Sequence, residues 1–118
     1  MSDFPITIYH NPACGTSRNT LALIEAAGHR PEVIEYLRAG WTRPQLEALL
    51  EQMGATPRDV LREKGTPAEE LGLLEEGVSD EAILDAMVAH PVLVNRPIVV
   101  TPRGTALVRP SERVSELL

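Results

Sequence analysis

Histidine, cysteine, serine and arginine fall within nine consecutive residues near the start of this chain, in His10-Asn11-Pro12-Ala13-Cys14-Gly15-Thr16-Ser17-Arg18. Cys14 stands where a short β-branched run gives way to a helical pattern. At such a junction the unpaired N–H groups of the helix's first turn and the positive end of its dipole both favour a thiolate. The same N–H groups can hold an incoming oxyanion. His10, four residues earlier, and Arg18, one turn later, would each add positive potential, and Gly15 lets a ligand approach the backbone. Plainer roles stand beside these. A lone cysteine is often an inert buried hydrophobe, His10 can simply end a strand, and Ser17 can cap the helix. The Pro-x-Cys turn tilts the balance toward an exposed, reactive thiol.

Cys14 is the single cysteine of the chain, so no internal disulfide can form and a disulfide-stapled extracellular scaffold is excluded. The spacing Cys14-Gly15-Thr16-Ser17 is C-x-x-S. A dithiol oxidoreductase would carry its resolving cysteine where Ser17 stands, so an oxidised Cys14 must be resolved by a thiol from outside. Three residues between Cys14 and Arg18 are too few for a tyrosine-phosphatase loop. His10, His29 and His90 are scattered with no pair at zinc-site spacing, and no metal is expected.

Of the 11 basic residues, 10 are arginine and only Lys64 is lysine. Compositional bias accounts for most of them. Some guanidinium forks would nevertheless suit a planar or tetrahedral oxyanion, which lysine grips less specifically. Arg96-Pro97 opens a strand-like run, Arg109-Pro110 follows the last one, and Arg62 closes a short helical segment. Each alone reads as a surface arginine.

The chain has 118 residues, a net charge of −6, 43% hydrophobic and only 3% aromatic residues. That length suits one domain with a real core. Leu, Ile, Val and Ala must build it, since Phe4, Tyr9, Tyr36 and Trp41 are the only aromatics. Few aromatics argue against a base-stacking surface, and the negative charge opposes nucleic acid or anionic membrane as partners. Met1-Ser2-Asp3-Phe4-Pro5 lacks a basic leader region, and no run approaches a membrane span. A reduced, cytoplasmic, monomeric protein is the expectation.

Periodicity places the elements that must hold these residues. Ile6–Tyr9 alternates as a strand ending at His10. A helix from Ser17 carries the stripe Leu21, Leu23, Ile24 and Ala27 and stops at Gly28. Glu32–Tyr36 forms a second strand, completing a parallel βαβ unit. Thr42-x-x-Gln45 is a capping box for a helix with Leu46, Leu49, Leu50 and Met53 on one face, ended by Gly54. Thr56-Pro57 opens a short helix through Leu61, and Pro67 precedes another around Glu69–Leu74. Ser79 caps a helix with Ile83, Leu84, Met87 and Val88 facing inward, closed by His90-Pro91. Ile98–Val100 and Thr105–Val108 form a hairpin about Pro102-Arg103-Gly104, and Pro110-Ser111 starts a last short helix through Leu117.

The motifs together resemble the glutaredoxin-dependent arsenate reductases. The resemblance rests on His10 to Asn19, on Asn95-Arg96-Pro97-Ile98-Val99-Val100-Thr101-Pro102, and on Arg109-Pro110-Ser111-Glu112, with support from Glu70-Leu71-Gly72-Leu73 and His90-Pro91. It implies an α/β, thioredoxin-like fold (βαβ, helical insertion, ββα) with a mixed central sheet. One such domain would cover 1–118, with the insertion at about 42–90. Pro97 would then be a cis-proline beside the catalytic cysteine, with Arg96 at the mouth of the site. The resemblance implies Cys14 as nucleophile, His10 as the histidine that stabilises its thiolate and Ser17 as the hydroxyl near the sulfur. Arg62, Arg96 and Arg109 would bind the oxyanion. Arsenate would be reduced to arsenite without a bound cofactor, glutathione attacking the arsenic adduct as co-substrate and glutaredoxin clearing the glutathionyl product. Related chains include Spx-type regulators that bind RNA polymerase, which commonly carry C-x-x-C. A monothiol oxidoreductase acting on glutathione adducts is the other alternative.

Overall fold

The computed structural model describes residues 4–118; Met1-Ser2-Asp3, part of the segment read for a leader, lie outside the described residues. The fold consists of two compact units. One comprises the chain up to Ala39 together with Arg96–Leu118, and the other Gly40–Asn95.

The first unit is built on a four-stranded sheet of order β2-β1-β3-β4. Strands β1 (Thr7–His10) and β2 (Glu32–Glu35) pair in parallel, Ile8 opposite Val33. The intervening α1 (Gly15–Ala26) makes the crossover that parallel pairing requires. Strands β3 (Ile98–Thr101) and β4 (Gly104–Leu107) form the expected antiparallel hairpin, and β3 pairs antiparallel with β1. The sheet is therefore mixed, with β1 inside it and His10 at the end of that strand. Ile6, Ile8, Ile24, Val99, Val108 and Val114 form the core of this unit. A terminal 3₁₀ helix, Ser111–Leu117, packs on α1 and is tied to the hairpin where the Thr101 hydroxyl donates to the Leu117 carbonyl at 2.8 Å.

Three local expectations change in this unit. The second strand ends at Glu35, and Tyr36 instead begins the single-turn α2 (Tyr36–Ala39). The Tyr36 ring is 1% exposed, buried where the chain leaves the sheet. Helix α1 starts two residues before Ser17, with Cys14 as its N-cap and Ser17 inside its first turn, so Ser17 does not cap it. The buried positions of α1 are Ser17, Thr20 and Ile24, whereas Leu23 is 40% exposed and Ala27 is exposed too. Polar groups occupy much of the inward face because the start of the helix serves the cysteine turn rather than the apolar core.

In the second unit, α3 (Arg43–Met53) carries the full Thr42/Gln45 capping box and ends on Gly54 in the left-handed conformation. A 3₁₀ turn, Pro57–Val60, has its own capping box from Thr56 and Asp59. Helix α4 (Asp80–Ala89), capped by Ser79, packs on α3, and Arg43 bridges the two through Glu81 and Asp85. Ile83, Leu84 and Met87 are buried as expected, but Val88 is exposed, at the rim of that face. Residues 67–74 form a succession of turns, not a helix. One helical bond, from the Leu71 N–H to the Pro67 carbonyl, is followed by Gly72 at φ +72°, and the left-handed residue ends the coil before a second turn can form. No helix among the described residues is long and apolar enough to cross a membrane.

Adjacent side chains of α1 should separate sharply in their effect on stability. Ile24→Ala should cost about 2–5 kcal/mol and Leu23→Ala about 0.5 kcal/mol or less, read from urea denaturation midpoints. Equal losses would contradict this facing of α1.

Candidate active site

Strand β1 ends at His10 and α1 begins at Gly15, so four residues must reverse the chain and deliver Cys14 to the helix N-terminus. Asn11 organises that turn. Its carbonyl accepts the Cys14 N–H at 3.0 Å, its side-chain Oδ1 accepts the Ala13 N–H at 3.0 Å, and its own N–H donates to Ser17 Oγ at 3.0 Å. The exposed Arg18 braces the outside, Nη1 donating to the Pro12 carbonyl at 2.9 Å. Cys14 is held in an extended N-cap conformation, and its carbonyl accepts from the Arg18 N–H as the first bond of the helix. Because the Cys14 N–H is already spent on Asn11, the amides left to face an anion are those after it.

The thiol is less open than the turn suggested: Cys14 is only 7% exposed. One of its neighbours comes from the far end of the chain, invisible to local sequence. Arg109 Nη1 lies 3.9 Å from Cys14 Sγ and also donates to the Arg96 carbonyl at 2.9 Å. Burial alone would push the thiol pKa up. The Ser17 N–H, the Arg109 guanidinium, the charge of Arg96 and the Thr16 N–H outweigh it, and the pKa falls below the ordinary thiol value. The peptide bonds Arg96–Pro97 and Arg109–Pro110 are both cis, so the expected cis-proline is present and a second accompanies it.

His10 and Ser17 act together. His10 is buried, and its Nδ1 lies 2.6 Å from Ser17 Oγ. Since that oxygen already accepts from the Asn11 N–H, the hydroxyl hydrogen is best directed at a neutral His10 Nδ1. Burial lowers the His10 pKa; Glu35 opposes the shift and Arg18 adds to it. His10 is thus held toward its neutral form and is paired with the Ser17 hydroxyl.

The structure therefore brings His10, Cys14, Ser17, Arg96 and Arg109 together in the first unit. Arg62 lies in the second unit beside the Leu61–Val94 bridge, where its N–H donates to the Leu93 carbonyl at 2.8 Å and its Nε to the Lys64 carbonyl at 3.0 Å. Asn11 was missing from the expected site residues. Its signal was present in the Asn-Pro pair, because an Asn side chain readily accepts from the backbone N–H two residues on. Among the described residues, no cluster of His, Cys, Asp or Glu is placed to hold a metal.

Residues 9–117 match the ArsC family. The chain belongs to that family. It is 61% identical to "Arsenate reductase ArsI1" of Synechocystis sp., over all of this chain and 82% of that protein. Identity to the arsenate reductase of Escherichia coli K12 is 55%, over 96% of this chain and 80% of that one. Among solved structures, an arsenate reductase from Vibrio cholerae superposes with a TM-score of 0.93 at 41% identity, covering 99% of this chain and 100% of its own. The expected ArsC architecture, a thioredoxin-like fold with a mixed sheet, is thereby shown.

The electrostatics of this ArsC site make two predictions. Removing a guanidinium that favours the thiolate should raise the thiol pKa. Arg109→Ala should therefore slow iodoacetamide alkylation of Cys14 at neutral pH about three- to tenfold, with the pH profile displaced to higher pH; an unshifted profile would remove Arg109 from that role. His10, with its pKa lowered from 6.5, makes the opposite demand on acid stability. Between its folded value and 6.5 the unfolded chain binds more protons, so stability is fully present above 6.5 and is lost as pH falls below it. The urea midpoint of the wild type should drop between about pH 7 and pH 5, and that of His10→Gln should drop less. Parallel curves would contradict a buried, neutral His10.

Proposed function

We propose that this chain reduces arsenate to arsenite, with Cys14 as nucleophile and with glutathione and glutaredoxin as electron donors. The observation that carries the reading is Cys14 at the N-cap of α1, its sulfur favoured as thiolate by the Thr16 and Ser17 amides, Arg109 and Arg96. The names of its close relatives supply the substrate.

The Cys14 thiolate attacks arsenic and displaces one oxygen, which takes up protons and leaves as water. Arg96 and Arg109 neutralise charge on the remaining oxygens, and guanidinium forks match such oxygens in pairs. For Arg62 the oxyanion-binding role rests on the family resemblance alone. A glutathione thiol then displaces a second oxygen as water, forming an arsenic–sulfur bond. A glutaredoxin thiol attacks that glutathione sulfur. The sulfur–sulfur bond forms as the arsenic–sulfur bond breaks, leaving its electron pair on arsenic. Arsenic(V) becomes arsenic(III), two thiols become one mixed disulfide, and water releases arsenite from Cys14. Both donors must come from outside, because Ser17 occupies the resolving position and Cys14 is the only cysteine. His10 orients Ser17 near the nucleophile.

The test is NADPH consumption coupled through glutathione reductase, glutathione and glutaredoxin, with and without arsenate. The wild type should show arsenate-dependent consumption that requires glutaredoxin, and Cys14→Ser should fall to background, at least about a thousandfold. Turnover by Cys14→Ser would end the nucleophile assignment. Arsenate turnover without glutaredoxin would end the donor assignment.

A further inference from the structure

Asn11 makes more of the bonds that shape the cysteine turn than any residue already given a role. It is a polar residue, 6% exposed, and it ties together the end of β1, the middle of the turn and the first turn of α1. Two of its bonds come from the backbone and would survive substitution by Ala or Ser. The third does not: only the side-chain Oδ1 can take the Ala13 N–H. Pro12 has no N–H of its own, so after Asn11 the Ala13 amide is the next donor of the turn, and Cys14 follows it directly. If that amide is released to water, the peptide carrying Cys14 gains freedom. The sulfur then drifts from its place at the N-cap of α1, where the helix dipole favours a thiolate.

We propose that the Asn11 side chain is a positioning residue, which holds the Pro12–Cys14 turn so that the Cys14 sulfur stays at the N-terminus of α1. Asn11 acts through the turn. This deepens the reductase reading, on which its catalytic consequence rests.

The test uses the full reduced chain and no arsenate: the pH dependence of iodoacetamide alkylation of Cys14 in wild type, Asn11→Ala and Asn11→Ser. Asn11→Ala should displace the profile to higher pH and lower the rate at neutral pH about three- to tenfold, while the limiting rate at high pH stays unchanged. A serine hydroxyl accepts the same bond more weakly, so Asn11→Ser should fall between the two. A wild-type profile in folded Asn11→Ala would overturn the proposal, as would a loss at all pH values alike. If neither variant folds, amide hydrogen exchange of Ala13 in the wild type decides: protection supports the bond, and exchange at the rate of an unstructured peptide sinks the proposal. Absent arsenate turnover with a displaced profile would remove the reductase reading and leave Asn11 standing. Normal wild-type turnover with no displacement would do the reverse.

Discussion

A thiol drawn toward its thiolate form in a nearly closed position is the constraint around which the first unit is organised. Burial acts against the Cys14 thiolate, and no single neighbour offsets it. Two sources of positive potential converge instead. One is local: the amides at the start of α1, available because Cys14 is the N-cap and its own N–H is turned back to Asn11. The other is remote: Arg96 and Arg109, side by side at the open end of the β3–β4 hairpin, one before β3 and one after β4. The sheet brings the two together, since β3 lies directly against β1.

The same constraint explains the polar lining of α1. A crossover helix ordinarily turns an apolar stripe to its sheet, yet Ser17 and Thr20 occupy the inward face here. Ser17 satisfies the Asn11 N–H and meets His10, while the Thr20 hydroxyl returns to the Thr16 carbonyl at 2.8 Å. Buried polar groups are tolerated when their partners are complete, and these are. Arginine rather than lysine at the remote positions fits the same logic. Arg109 uses one nitrogen both on the Arg96 carbonyl and toward the sulfur, and the rest of the fork stays available to an oxyanion.

Much of this could be read directly from the chain. Thr42/Gln45, Gly54, Ser79 and the Pro102-Arg103-Gly104 turn act through bonds a few residues long, and the structure repeats them. The cysteine at a strand–helix junction was equally visible. What escaped depended on long-range packing or on one backbone angle. Leu23 and Ala27 fit a helical stripe, but the orientation of α1 is set by the Cys14 turn at its start. Gly72 ended a helix that Glu69–Leu74 otherwise favoured. The contact of Cys14 with Arg109 spans 95 residues of chain. His10 read as a source of charge because its burial could not be seen.

That separation has a consequence for the protein before it is folded. In a growing or unfolded chain, Arg96 and Arg109 are far from the thiol, and α1 has no sheet to hold its first turn in place. Closing a loop of that length is an entropic cost met only when β1 and β3 pair. Until then Cys14 keeps the ionisation of a free cysteine, mostly protonated and slow to react with peroxides or electrophiles. Reactivity arrives with the completed sheet, so the only thiol of the chain gains its nucleophilic character at the step that also shelters it.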